Sequence, residues 1–117
     1  MNVIHLVNKK DHTPTDKDFY IGRGSVFGNP FTSKDLDKTK VEFQVSSREE
    51  AIGKYGVYLN TRVKLNERSI VDGLDKMLAA LKLGDIYLIC YCAPKPCHGV
   101  VIKNKLLSII MKDLIPK

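Results

Sequence analysis

Two segments of this chain concentrate the side chains able to do chemistry. The first, Tyr20-Ile21-Gly22-Arg23-Gly24-Ser25-Val26-Phe27-Gly28-Asn29-Pro30-Phe31, is a glycine-rich loop around an arginine. The second, Cys90-Tyr91-Cys92-Ala93-Pro94-Lys95-Pro96-Cys97-His98-Gly99, holds all three cysteines of the chain and one of its three histidines. In the first, Gly22, Gly24 and Gly28 let backbone approach a ligand or take positive φ. Arg23 offers a planar donor fork suited to phosphate or carboxylate. Tyr20, Ser25 and Asn29 could add neutral contacts. The loop is not a Walker A sequence, for it lacks Gly-Lys-Ser/Thr, nor a dinucleotide fingerprint, because its third glycine falls four residues after the second. The plain alternative is a strand-ending loop whose glycines only make turns and whose arginine is solvated.

The second segment supports three readings. Cys90, Cys92, Cys97 and His98 have the inventory of a tetrahedral zinc site, although neither Cys-x-x-Cys nor a spaced histidine pair occurs. Alternatively, Cys97 at the first turn of a helix, beside His98, is a candidate nucleophile, with Cys97 and His98 as the reactive pair. In the third reading the cysteines are small buried residues, and Cys97, His98 and Gly99 form a helix entry whose amides and imidazole face an anion. His5 reads as a strand residue facing a partner.

These segments need a scaffold. The chain has 117 residues and a formal charge of +6, the size and composition of one soluble domain spanning residues 1–117. Its lysines are scattered, without the basic and aromatic alternation of a single-strand groove, so nucleic acid is a weakly supported partner. No apolar run approaches the roughly 20 residues that span a bilayer. The opening residues lack a secretory pattern, and the expected compartment is the cytoplasm. An odd number of clustered cysteines argues against a disulfide scaffold.

Residues 3–7 and 19–21 have the composition of short strands, with a polar stretch between them and a turn at Gly28-Asn29-Pro30. The polar residues 32–40 read as a surface loop. Ser47-Arg48-Glu49-Glu50 is a capping-box pattern that opens a helix. Its buried face is Ile52, Tyr55 and Leu59 with Ala51 and Tyr58 alongside, and Gly53 and Gly56 mark close packing. A second helix over 67–82 buries Ile70, Leu74, Met77, Leu78 and Leu81 and stops at Gly84. The apolar run 85–91 reads as a strand buried on both faces. A last helix from 98 or 99 to 113 buries Ile102, Leu106, Ile109 and Ile110. The result is an α/β domain with a small central sheet, about three flanking helices and a Rossmann-like tendency. Both chemical segments follow strands, where open α/β sheets bind ligands.

Tyr20-Ile21-Gly22-Arg23-Gly24-Ser25, Gly28-Asn29-Pro30-Phe31, Arg48-Glu49-Glu50-Ala51-Ile52 with Tyr55, and Cys90-Tyr91-Cys92-Ala93-Pro94 with Pro96-Cys97-His98-Gly99 together resemble DUF4326, a domain of unknown function found in bacteria and their phages. The resemblance covers nearly the whole chain in order. It implies a compact domain whose common features are these two loops. Tyr91 stands where the family commonly has Trp, and Val100 where it commonly has Asp. If that Asp supplies an acid, a base or a helix-start carboxylate, its absence here implies binding without catalysis or a partial loss of activity.

The sequence reads as a domain that binds a phosphate-bearing small molecule, a nucleotide or nucleotide derivative. A phage-encoded origin is compatible with the compact, lysine-rich chain. The alternatives are an enzyme acting on such a ligand by glycosyl transfer or hydrolysis, and a zinc-stabilised module that binds nucleic acid or protein. The cofactor is left open, with zinc as a candidate, and so is the oligomeric state.

Overall fold

A computed structural model describes residues 2–32, 43–91 and 97–114. Strands β1 (Ile4–Asn8), β2 (Asp18–Tyr20), β3 (Phe31–Thr32) and β4 (Phe43–Gln44) precede helices α1 (Arg48–Lys64) and α2 (Arg68–Leu83). Strand β5 (Ile86–Cys90) and helix α3 (Gly99–Leu114) follow. β5 lies between β1 and β2, parallel to both. Its central position explains its nearly uninterrupted apolar sequence, because both neighbours and a helical layer enclose it.

The three helices pack on one face of this sheet. Ile4, Ile86, Leu88 and Cys90 share one core with Tyr55 and Leu59 of α1, Ile70, Leu74, Met77 and Leu81 of α2, and Ile102 and Leu106 of α3. The opposite face carries the alternate residues. There the rings of His5 and Tyr87 stack at 4.7 Å, and the His12 ring approaches Tyr87 at 4.8 Å. Each histidine is held by a carboxylate, His5 by Asp85 at 3.0 Å and His12 by Asp18 at 2.9 Å. The domain is therefore α/β, and among the described residues its helices lie on one face of a three-stranded parallel sheet.

Helix α1 starts where its capping residues require. Ser47 Oγ accepts from the Glu50 amide at 3.1 Å, satisfying one of the donors that a helix start leaves open. Glu50 answers one residue early, accepting from the amide and hydroxyl of Ser46. Asn66, at φ 54°, ends the helix in the left-handed conformation that asparagine tolerates. Ala51, Tyr55 and Leu59 are buried, whereas Ile52 is half-buried. Helix α2 stops at Gly84 as expected, but that glycine is extended, not left-handed. In α3, Ile102 and Leu106 are fully buried and Ile109 and Ile110 only partly so.

Two expectations change. Thr32 belongs to β3, which pairs in parallel with β4 through Phe31 opposite Phe43 and Thr32 opposite Gln44. Residues 33–40 of the expected loop lie outside the described residues. The close-packed helical glycine is also a different one. A Cβ on Gly53 would meet nothing within 4 Å, and one on Gly56 would make only an ordinary contact with Val101. On Gly73 of α2 it would lie 2.5 Å from the ring of the buried Phe27. Alanine at Gly53 should therefore stabilise the domain by about 0.5–1 kcal/mol through helix propensity. At Gly73 the collision, typically about 1–3 kcal/mol for overpacking, outweighs the same gain. Urea midpoints moving in opposite directions for the two variants would check this.

Candidate functional site

Ile21, fully buried, carries the chain out of β2 into two successive tight turns. The Ser25 amide donates to Gly22 O at 3.1 Å, and its hydroxyl to the same oxygen at 2.6 Å. The Gly28 amide then donates to Ser25 O at 3.0 Å. Gly24 sits at φ 91°, a conformation open chiefly to glycine. At Gly28 a Cβ would lie 2.9 Å from Gly22 O and 3.2 Å from Arg23 Cα, both backbone atoms with little room to yield. Tyr20 folds over Gly22, and its hydroxyl donates to Arg23 O at 3.1 Å. These glycines thus shape the loop, while the Arg23 side chain is exposed.

The loop's exit is anchored to α1. Asn29 is buried, donating to Ala51 O at 3.2 Å and accepting from the Phe31 amide at 2.9 Å. The buried Tyr55 hydroxyl donates to Phe27 O at 2.7 Å. Both side-chain bonds tie the loop to α1.

Cys97, His98 and Gly99 form the entry to α3. The Gly99 amide donates to Cys97 Sγ at 3.3 Å, and the Val100 amide to Cys97 O at 3.3 Å. A Cβ on Gly99 would lie 2.9 Å from Ile21 Cδ1 and 3.0 Å from Leu6 Cδ2, so the helix start is seated on the sheet. His98 Nε2 meets Ile21 O at 2.6 Å. A carbonyl can only accept, so Nε2 carries the proton in this bond. Burial lowers the His98 pKa, the carbonyl of Ile21 opposes it, the Arg23 charge adds to the lowering and the carbonyl of Phe27 again opposes it. The Tyr55 ring meets the imidazole edge to face at 4.8 Å. His98 is therefore a neutral strut that binds the α3 entry to Ile21, where the chain leaves β2 for the glycine-rich loop.

The two chemical segments do meet, but their buried and exposed parts differ in character. Cys97, His98, Gly99 and Asn29 are internal fasteners, with Gly22 and Gly28 enclosed among them or their neighbours. Tyr20, Arg23 and Gly24 face outward, and Ser25 is intermediate. The outer rim also holds two residues absent from the expected site. Lys9 follows β1 and Tyr91 follows β5. The Tyr20 and Tyr91 rings meet edge to face at 6.2 Å, and Lys9 Nζ lies 5.8 Å and 5.9 Å from their centroids. Asn8 aligns the strand ends by donating to Tyr91 O at 3.2 Å. Lys9 and Tyr91 could have been found by taking the residue after each parallel strand, since that edge is where such sheets bind ligands.

Among the described residues no group of three or more His, Cys, Asp or Glu could hold a metal ion. Cys90 and Cys97 sulfurs lie 3.6 Å apart, but His98 Nε2 is engaged by Ile21 O. Cys92 lies outside the described residues. No helix among them is long and apolar enough to cross a membrane. A family model described as a domain of unknown function, DUF4326, matches residues 4–108. Neither the curated proteins nor the solved structures provide a match.

Proposed function

Because the chain belongs to the DUF4326 family, whose description leaves function open, we propose from its own site that it binds a phosphate-bearing small molecule, a nucleotide or nucleotide derivative. The observation that carries this reading is the exposed rim at the carboxyl ends of β1, β5 and β2. There Lys9 lies near the rings of Tyr20 and Tyr91, with exposed Arg23 on the adjoining loop. Aromatic faces accept a base by stacking, while guanidinium and ammonium groups pair with phosphate. The formal charge of +6 favours the approach of such an anion.

Binding is favoured over glycosyl transfer or hydrolysis by the condition of the candidate reactive pair. The His98 imidazole is buried and committed to Ile21 O. Cys97 is buried and accepts from the Gly99 amide. With Nε2 holding its proton against a carbonyl, His98 offers a ligand at the rim no general base through that nitrogen.

A panel of nucleoside mono-, di- and triphosphates and nucleotide sugars, screened by thermal shift and followed by calorimetry, tests the proposal. Arg23→Ala should weaken the best ligand about tenfold to a hundredfold, the usual worth of a charged hydrogen bond. Tyr91→Ala should weaken it by a comparable factor through lost stacking. An absence of binding across the panel, or wild-type affinity in Arg23→Ala, would overturn the reading. Tight binding of an oligonucleotide with a steep salt dependence would instead support the nucleic-acid alternative.

A further inference from the structure

We propose that Cys90 and Cys97 form a reversible intrachain disulfide, making this pair a dithiol site for peroxides. Both thiols are reduced, and their sulfurs lie 3.6 Å apart. A disulfide measures about 2.05 Å, so the sulfurs need close by only about 1.5 Å. Cys90 is the last residue of the central strand, where the Lys9 amide donates to its carbonyl at 2.9 Å. Cys97 precedes α3 by two positions. The two elements that must approach are therefore already neighbours, and the intervening chain of residues 91–96 is short.

The surroundings give the two sulfurs different roles. Cys97 Sγ accepts the Gly99 amide at the positive end of a helix of 16 residues, an environment that favours charge on sulfur. Cys90 Sγ donates toward Val7 O at 3.8 Å. Cys97 is 7% exposed and Cys90 only 1%, so peroxide reaches Cys97 first. The Cys97 thiolate attacks one peroxide oxygen, the O–O bond breaks, and the departing hydroxide takes a proton to become water. Cys90 sulfur then attacks the resulting Cys97 sulfenic acid, the S–O bond breaks, and a second water leaves with the Cys90 proton. Two thiols are oxidised by two electrons and one peroxide is reduced to two waters.

The test treats the reduced, folded chain with stoichiometric hydrogen peroxide, then unfolds it in iodoacetamide and measures the intact and chymotryptic masses. The expected product has lost about 2 Da before alkylation, takes up label only at Cys92, and regains all three alkylatable thiols after dithiothreitol. Cleavage after Tyr91 should leave the Cys90 and Cys97 peptides linked until reduction. Cys92→Ser should form the same link, whereas Cys90→Ser should stop at an oxidised Cys97 without it. Peptide mapping of the wild-type chain decides the matter even if a variant folds poorly. Three alkylatable thiols after peroxide, a link involving Cys92, or a link between two chains would overturn the proposal.

Discussion

Tyr55→Ala should destabilise the domain by about 3–5 kcal/mol, the usual range for removing a large buried aromatic side chain. Set against the roughly 5–15 kcal/mol that separates a folded domain from its unfolded state, that loss leaves little margin. Tyr55 is fully buried, its ring 5.7 Å from Tyr58 and 4.8 Å from His98. Its hydroxyl donates to Phe27 O at 2.7 Å. One α1 side chain thus touches both the glycine-rich loop and the α3 entry. Burial, with a smaller contribution from Tyr58, raises the phenol pKa far above its ordinary value, so the hydroxyl is a donor at neutral pH. Tyr55→Phe separates the two contributions. It keeps the ring but leaves Phe27 O without this donor, at a cost of about 1–3 kcal/mol. Urea unfolding with an unchanged slope would measure both. A phenylalanine variant as stable as the parent would show that the bond to Phe27 adds nothing, and an alanine variant losing less than about 1 kcal/mol would remove Tyr55 from its central place.

A second expected result is a loss of stability in mild acid through His98. Its pKa is lowered in the folded protein, chiefly by burial. The unfolded chain therefore binds a proton more readily than the folded one, and stability rises with pH across the interval between the two values. The contribution is complete above the ordinary histidine value of about 6.5 and is lost as pH falls through the folded value. Asp18 and Asp85 act in the same direction at lower pH. Desolvation raises the Asp18 pKa, but bonds from Thr15 and His12 outweigh it, whereas Asp85 is lowered first by its bond to His5. Their contributions are present above the ordinary carboxylate value and fade below it. Unfolding midpoints measured from pH 7.5 to pH 4.5, a window taken from the ordinary histidine and carboxylate values of about 6.5 and 3.9, should fall in the upper part of that range. His98→Gln retains an N–H donor for Ile21 O without a titrating ring and should flatten the decline. An equally steep decline in the glutamine variant would assign it to another group.

Much of this architecture can be read from residue pattern because its helices are long and locally marked. Ser47 and Glu50 announce the start of α1, and the spacing of Ile70, Leu74, Met77 and Leu81 identifies the buried face of α2. β5 is legible because a central parallel strand is apolar nearly throughout. β3 and β4 are two residues each, too short for a period, and their pairing joins positions far apart in sequence. Gly73 shows a related limit. Its need for a missing Cβ comes from Phe27, 46 positions earlier, so no local feature of α2 singles it out. In the candidate site, glycines and unusual residues draw attention to both loops. What cannot be read locally is that His98 turns inward to Ile21 O. Nor does local pattern bring Lys9 to Tyr20 and Tyr91, because that cluster exists only after β5 inserts between β1 and β2.

That insertion also constrains the order in which the molecule can be built. β1 and β2 pair with β5 and not with each other, although β5 follows them by more than 60 residues. As the chain leaves the ribosome, neither early strand has its sheet partner until β5 emerges. α1 and α2 can form locally during that interval, but their apolar faces wait for the surface on which they pack. Completion of the sheet is consequently a late, long-range event, the kind that slows folding and leaves strand edges open to association. A nascent chain halted just before Ile86 should retain helical signal yet remain sensitive to proteases, and synthesis through β5 should bring the onset of protection.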